Sequence, residues 1–292
     1  MLRILSTKRL FSSMKNHTFE TLLIENPSPF VAHVQLNRPE QLNSMNQTFW
    51  RECKECFSGL AEDEDCRAIV VSGSGKHFTA GLDLTDMGNL SEQFSSDDDI
   101  ARKSKRLYKI IRAYQESFSA IEQCPKPVIA AVHSACIGGG VDLITAADIR
   151  FCTKDAYFCV KEVDIGLAAD VGTLQRLPKV IGSDSLARDL ALTARRMYAD
   201  EAKESGLVSR LFDDKTSMIQ YALDVAKLIA SKSPVAVQGT KIHMNYSRNH
   251  TIEESLQFMA VWNATMLQSE DLMKAAMAMA TRSKENPTFS KL

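Results

Sequence analysis

Apolar and polar positions divide the chain into two unequal regimes. From Phe30 to Leu36 they alternate closely enough for a half-buried strand, and Asn37-Arg38-Pro39 stops it, because proline brings no N–H to a ladder. Gln47 to Leu60 carries apolar residues at helical spacing. Ala68 to Val71 is a short, continuous apolar run closed by Ser72-Gly73-Ser74-Gly75, the pattern of a buried strand. The polar, acidic stretch 91–99 predicts a loop. A long helix is predicted from Ile100 to Glu122, ended by Cys124-Pro125-Lys126-Pro127. Strands follow at Val128–Val132, Ile149–Cys152 and Tyr157–Val160. To about residue 182, strands therefore alternate with helices. Beyond it nearly everything reads as helix: Met218 to Ala230 has helical spacing, and Thr251-Ile252-Glu253-Glu254 spells a capping box. The layout is an α/β core over 20–182 followed by a helical region over 183–292.

Composition narrows the classes. With 45% apolar and 24% charged residues, 292 residues suffice for one large core. No apolar run is long enough for a membrane-spanning helix. A net charge of −1 argues against binding nucleic acid through bulk charge, although Arg102, Lys103, Lys105, Arg106, Lys109 and Arg112 place a basic face on one helix. Solvation, or contact with phosphates, is the plainer reading of that face. The seven cysteines are irregularly spaced; Cys53 and Cys56 form a C-x-x-C inside the helical pattern, with no second pair at zinc-ligand spacing, so no metal is expected and reduced thiols are. Residues 1–19 combine Arg3, Lys8, Arg9 and Lys15 with serines and no acid, as a mitochondrial transit segment does. The chain closes on Ser290-Lys291-Leu292, a tripeptide read by the peroxisomal import receptor. The expectation is mitochondrion and/or peroxisome. The helical tail carries Met259, Met266, Met273, Met277 and Met279, which suits packing against another subunit or against its own core.

Three stretches could carry chemistry. Cys136-Ile137-Gly138-Gly139-Gly140-Val141-Asp142 sits between a strand and a helix-like segment, where glycines leave amide N–H groups bare for an anion or a developing oxyanion. It matches neither a dinucleotide fingerprint nor a phosphate loop. Phe78-Thr79-Ala80-Gly81-Leu82-Asp83-Leu84 follows a buried strand with small residues that would let a ligand approach the main chain. In Lys161-Glu162-Val163-Asp164-Ile165-Gly166-Leu167-Ala168-Ala169-Asp170, two acids stand in apolar surroundings, where carboxyl pKa values rise toward the range needed for proton transfer. Structural readings compete: Asp170 as a helix N-cap, Glu162 as a turn ion pair, Asp142 as a first-turn acid.

Taken together, Leu36-Asn37-Arg38-Pro39 with Asn43, Phe78 to Leu84, the triple glycine with an acid two places on, and Gly172-Thr173-Leu174-Gln175-Arg176-Leu177 resemble, in order, the enoyl-CoA hydratase/isomerase (crotonase) family. The resemblance implies a spiral of ββα units with a C-terminal helical trimerisation region, a trimer or dimer of trimers, and a coenzyme A thioester as substrate. It implies an oxyanion hole from the N–H groups of Leu82 and Gly139, with Ala80, Gly81, Asp83 and Leu84 around the substrate. The family's hydratases carry glutamates at the positions of Asp142 and Glu162 and usually glycine near Asp170. The set Asp142, Glu162, Asp170 instead resembles the family's dienoyl-CoA isomerases. That implies proton removal at C2 and protonation at C6 of a 3,5-dienoyl-CoA, with Glu162 and Asp170 as the two groups and Asp142 tuning them. No cofactor is expected, since no net oxidation occurs. The alternatives are an enoyl-CoA hydratase or mono-enoyl-CoA isomerase on the same scaffold, and a non-enzymatic RNA- or partner-binding member.

Overall fold

The computed structural model describes residues 18–85, 98–283 and 287–292. The expected transit segment falls outside them up to residue 17, as does most of the 91–99 loop.

Nine strands make two sheets among the described residues. The larger has the order β1 (Leu22–Ser28), β2 (Val31–Leu36), β3 (Ala68–Gly73), β4 (Val128–Val132), β6 (Ile149–Thr153), β9 (Arg210–Phe212). β1 pairs antiparallel with β2 and every other pair is parallel. The smaller has the order β5 (Ala135–Ile137), β7 (Tyr157–Cys159), β8 (Met197–Tyr198). Single parallel bridges extend it, joining Cys136 to Thr79 and Leu82 to Met45. The chain thus visits the large sheet, then the small one, then a helix, and repeats: successive turns of a spiral.

Parallel strands covered on both faces need continuous apolar runs, and β3 and β4 have them. Ile69, Val71, Val128, Ala130 and Val132 face a core shared with the small sheet and the helices. The intervening Ala68, Val70, Ile129 and Ala131 face α7 (Lys215–Ala230), which presents Met218, Ala222, Ala226 and Ala230. Past residue 182, where the pattern predicts nearly all helix, β8 and β9 intervene and β9 completes the large sheet.

Helix α1 (Gln47–Glu62) starts at Asn46, whose side chain accepts the Phe49 N–H at 2.9 Å, and buries Phe49, Trp50, Cys53, Cys56, Phe57 and Leu60. Cys53 and Cys56 therefore lie on its core face, where burial pushes both thiols far up. Helix α2 (Ile100–Gln123) packs on it through Tyr114, stacked at 4.7 Å on Trp50, and Phe118. Helices α3 (Gly139–Ala146) and α4 (Thr173–Ile181) pack side by side behind the small sheet. After α5 (Asp184–Thr193) and α6 (Ala199–Glu204), the chain ends in α8 (Pro234–Ser247), α9 (Ile252–Met266) and α10 (Glu270–Ala280). The capping box at Thr251 and Glu254 is formed. Along α9 and α10, Ile252 and Met279 are both 81% exposed and Met273 and Met277 both 67%, whereas Met259 and Met266 are half-buried against their own chain. The last residues return to the body, where Arg67 donates to the carbonyls of Phe289 and Ser290 at 2.9 and 3.1 Å.

Candidate active site

The expected hole lies where two successive turns of the spiral meet. Thr79 and Cys136 are partners on adjacent parallel segments, fixed by Thr79 N–H to Ala135 O and Ile137 N–H to Thr79 O. Three residues further along each segment stand Leu82 and Gly139. The close approach is real: a Cβ on Gly81 would lie 2.7 Å from the Ile137 carbonyl oxygen, and Gly81 takes a φ of +86°. Neighbouring N–H groups are spoken for: Ala80 donates to Leu42, Gly81 to Thr79 Oγ1, Asp83 to Met45, and Gly138 to Cys159. The N–H groups of Leu82 and Gly139 have no described acceptor. Gly139 is the first residue of α3, so its N–H is one of the bare donors at a helix start. A Cβ there would come within 2.8 Å of Met45 Sδ and 3.4 Å of the Trp50 ring. Larger residues would clash with the wall of the hole.

The loop before Leu82 is held by the Asn37-Arg38-Pro39…Asn43 motif. Asn43 Nδ2 donates to the carbonyls of Ser74, His77 and Phe78 at 2.8–3.1 Å, and its Oδ1 accepts the Arg38 N–H. Arg38 pairs with Asp83 at 2.9 Å, and Ser44 also donates to that carboxylate. Burial pushes Asp83 up, but the bonds from Arg38 and Ser44 outweigh it and hold the carboxyl below its usual range. Asp83 is thus a clamp on the loop. Leu84, at 63% exposed, stands at its outer edge, and Ala80 is half-buried.

Glu162 and Asp142 lie at this hole, and Asp170 stands within charge range of both. Glu162 opens a 3-10 turn (Glu162–Ile165) just after β7. A Cβ on Gly138 would sit 3.2 Å from Glu162 Oε1, so the carboxyl lies directly over the glycine that precedes Gly139. It forms no turn ion pair; Lys161 pairs with Asp164 instead. Its Oε2 is buried with no hydrogen-bond partner among the described residues. Burial first, then the negative charges of Asp142 and Asp170, push Glu162 up to about 7. Asp142, fully buried in the first turn of α3, accepts the Thr173 N–H on Oδ1 at 2.5 Å and leaves Oδ2 without a partner. Burial raises it to about 6 against the opposing pull of Thr173 and Arg176.

Asp170 is half-buried and raised by burial. It is not an N-cap: α4 begins three residues later, its cap is Gly172, and no side chain caps it. The Asp170 carbonyl accepts a bond from Gln115 Nε2 at 2.7 Å. Sequence reasoning missed three contributors here: the Thr173 N–H, Gln115, and Arg176. A main-chain donor to Asp142 leaves no trace in side-chain type, and Gln115 lies on a different helix.

The arrangement sets two main-chain N–H groups without a described acceptor near poorly solvated carboxyls, the elements that stabilising a developing oxyanion during proton transfer would require. Residues 28–290 match the enoyl-CoA hydratase/isomerase family, and the chain belongs to it. A human protein named "Delta(3,5)-Delta(2,4)-dienoyl-CoA isomerase, mitochondrial" is 59% identical over 279 residues, 95% of this chain and 84% of that protein. An Arabidopsis thaliana protein named as the peroxisomal form is 46% identical over 281 residues, 96% of this chain and all of that protein. Among solved structures, an enoyl-CoA hydratase from Bacillus anthracis superposes with a TM-score of 0.82 at 25% identity, over 93% of this chain and 99% of that one.

Proposed function

We propose that this chain is a Δ3,5-Δ2,4-dienoyl-CoA isomerase working in the mitochondrion and/or the peroxisome. The observation that carries this reading is the grouping of Asp142, Glu162 and Asp170, each raised above its usual range, beside the paired Leu82 and Gly139 N–H groups. The near-full-length likeness to proteins of that name supports it, as do the mitochondrial and peroxisomal names among them.

The thioester oxygen sits between the N–H groups of Leu82 and Gly139. As the C2 proton leaves, charge moves onto that oxygen, and the two donors stabilise it more than they stabilise the ground state. Glu162, over Gly138, takes the C2 proton. A base poised near 7 is partly ionised at neutral pH yet basic enough to abstract. The electrons shift along the diene and Asp170 delivers a proton to C6. C2 and C6 are four bonds apart, so two carboxyls in different places suit the task better than one. Asp142, between helix α3 and the Thr173 N–H, keeps Glu162 raised through its charge. Electrons balance within the substrate, so the reaction calls for no metal or redox cofactor. The exposed apolar faces of α9 and α10 fit a homo-oligomer, a trimer or a dimer of trimers.

The test is direct. A 3,5-dienoyl-CoA should gain the absorbance of a diene conjugated with the thioester, at a rate far above water addition to crotonyl-CoA. Faster hydration than isomerisation would assign the chain to the hydratases.

A further inference from the structure

The segment 170–173 supplies Asp170 and, through the Thr173 N–H, one partner of Asp142. Its backbone is pinned from outside the site. Gln115 on α2 holds the Asp170 carbonyl at 2.7 Å and is itself bonded by Arg112 at 2.7 Å. Arg176 folds back over Gly172, so that a Cβ on that glycine would lie 1.8 Å from Arg176 Nη1; Gly172 takes a φ of +136°. Nη1 reaches the Val171 carbonyl at 3.4 Å and Nη2 reaches Ser119 Oγ at 3.3 Å. The guanidinium is anchored by Glu122 near the end of α2, with Nε and Nη2 at 3.1 and 2.9 Å from Oε2. The other Glu122 oxygen accepts from Arg248, just beyond α8, at 2.9 Å. One carboxylate thus joins α2, α4 and the C-terminal helices, and its arginine presses on the turn beside Asp170.

The Glu122–Arg176 pair touches neither the hole nor Glu162. Its side chains are about a quarter and an eighth exposed, at 25% and 12%. An ion pair at that depth contributes little net stability against its own desolvation, whereas two guanidinium donors on one carboxylate oxygen, with the other oxygen held by Arg248, fix position well. We propose that Arg176, anchored by Glu122, is a positioning residue that sets where Asp170 stands relative to Glu162 and the hole. The proposal rests on the isomerase reading above. It makes the second proton transfer depend most directly on a contact to the helical C-terminal region, while the first feels Arg176 only through its charge on Asp142.

The pair lines a polar cleft of about 600 Å³ shared with Gln115, Lys241 and Asn245, so a shorter polar side chain there is solvated and leaves no sealed void. Arg176→Gln, Glu122→Gln and the double variant are compared with wild type on a 3,5-dienoyl-CoA. Exchange of the C2 proton in deuterated water and thermal melting are followed in parallel. A displacement of a reacting group by about 1 Å is worth on the order of 10²-fold. Arg176→Gln is therefore expected to lose about 10–100-fold in kcat with KM within about twofold of wild type and with C2 exchange reduced far less than isomerisation. Glu122→Gln should fall in the same direction, the double variant should be no worse than Arg176→Gln, and Arg176→Lys should recover part of the loss.

Wild-type rates of isomerisation in Arg176→Gln, or equal loss of exchange and isomerisation, would overturn the proposal. Collapse of folding in all variants would assign the pair to stability and overturn it too. Should Arg176→Gln alone fail to fold, Glu122→Gln, which keeps the arginine but removes its anchoring charge, must show the loss of product with exchange much less affected. A wild-type enzyme that does not isomerise the diene at all fails the isomerase reading itself, and the positioning role falls with it.

Discussion

Replacing Glu162 by glutamine should make the protein at once more stable and nearly inactive. The carboxyl is raised from an ordinary 4.5 to about 7, chiefly by burial, and its Oε2 has no partner to lose. A group whose folded pKa lies above its unfolded value binds more protons when folded. Stability therefore falls as pH rises from about 4.5 through about 7, and the full penalty is present above that. That rise corresponds to about 3 kcal/mol at pH 8, and less than about 1 kcal/mol of it remains at pH 5. Glutamine cannot ionise. Urea unfolding at fixed protein concentration should show Glu162→Gln gaining about 2–3 kcal/mol relative to wild type between pH 5 and pH 8. A constant offset from an unpaired amide N–H would move both points together and leave that difference intact. Turnover should drop by about 10²–10⁴-fold, because the amide cannot take the C2 proton. Equal pH dependence of stability in the two proteins would show that Glu162 is not held near 7. More than half the normal turnover would remove it from the base role.

Other outcomes follow from the same geometry. Asp170→Asn should lose diene isomerisation by about 10²-fold while C2 exchange in deuterated water survives. Because Gly172 and not Asp170 caps α4, its melting temperature should scarcely move; joint collapse of exchange and folding would make Asp170 structural. Gly139→Pro removes one donor of the hole and should cost about 3–4 kcal/mol in the barrier. The measurement is kcat with a circular-dichroism check of folding, and a folded, fully active variant would refute the hole. Truncation after residue 250 deletes α9 and α10, and light scattering should find monomer or aggregate; a soluble truncated trimer would count against their role in assembly.

What could be read in the sequence depended on how locally each feature is determined. The strands β3 and β4 were legible because both of their faces are covered, which forces an uninterrupted apolar run. Helices α1 and α2 were legible through their caps and their stops. β1 was not: Leu22–Ser28 contains Pro27 and alternates poorly, as an edge strand paired on one side can. β5, β8 and β9 are two or three residues long and leave little pattern to read, although the equally short β7 showed as part of the run Tyr157–Val160. Within the site, the glycines and acids stood out by type. Their meaning came from contacts across the spiral: the Thr173 N–H on Asp142, Gly138 beneath Glu162, and Gly172 displacing Asp170 from the cap. The cap reading of Asp170 failed because α4 begins three residues later, and helix ends are the boundaries that residue pattern fixes least.

The pairing of Thr79 with Cys136 has a consequence for how this scaffold can change. Because Leu82 and Gly139 stand at equal offsets from one ladder rung, the pairing of the two segments, and not the lengths of the loops that feed them, sets how the two N–H groups face each other. Connections leaving either segment can lengthen, shorten or be exchanged, and with them the walls met by an acyl chain, while the two donors keep their separation. A slip of one residue between the two segments would instead turn one of the N–H groups to the opposite side and abolish the pair. The scaffold is thus tolerant of variation in length and intolerant of variation in phase, which lets carboxyls be added or moved around a fixed electrostatic centre without rebuilding it.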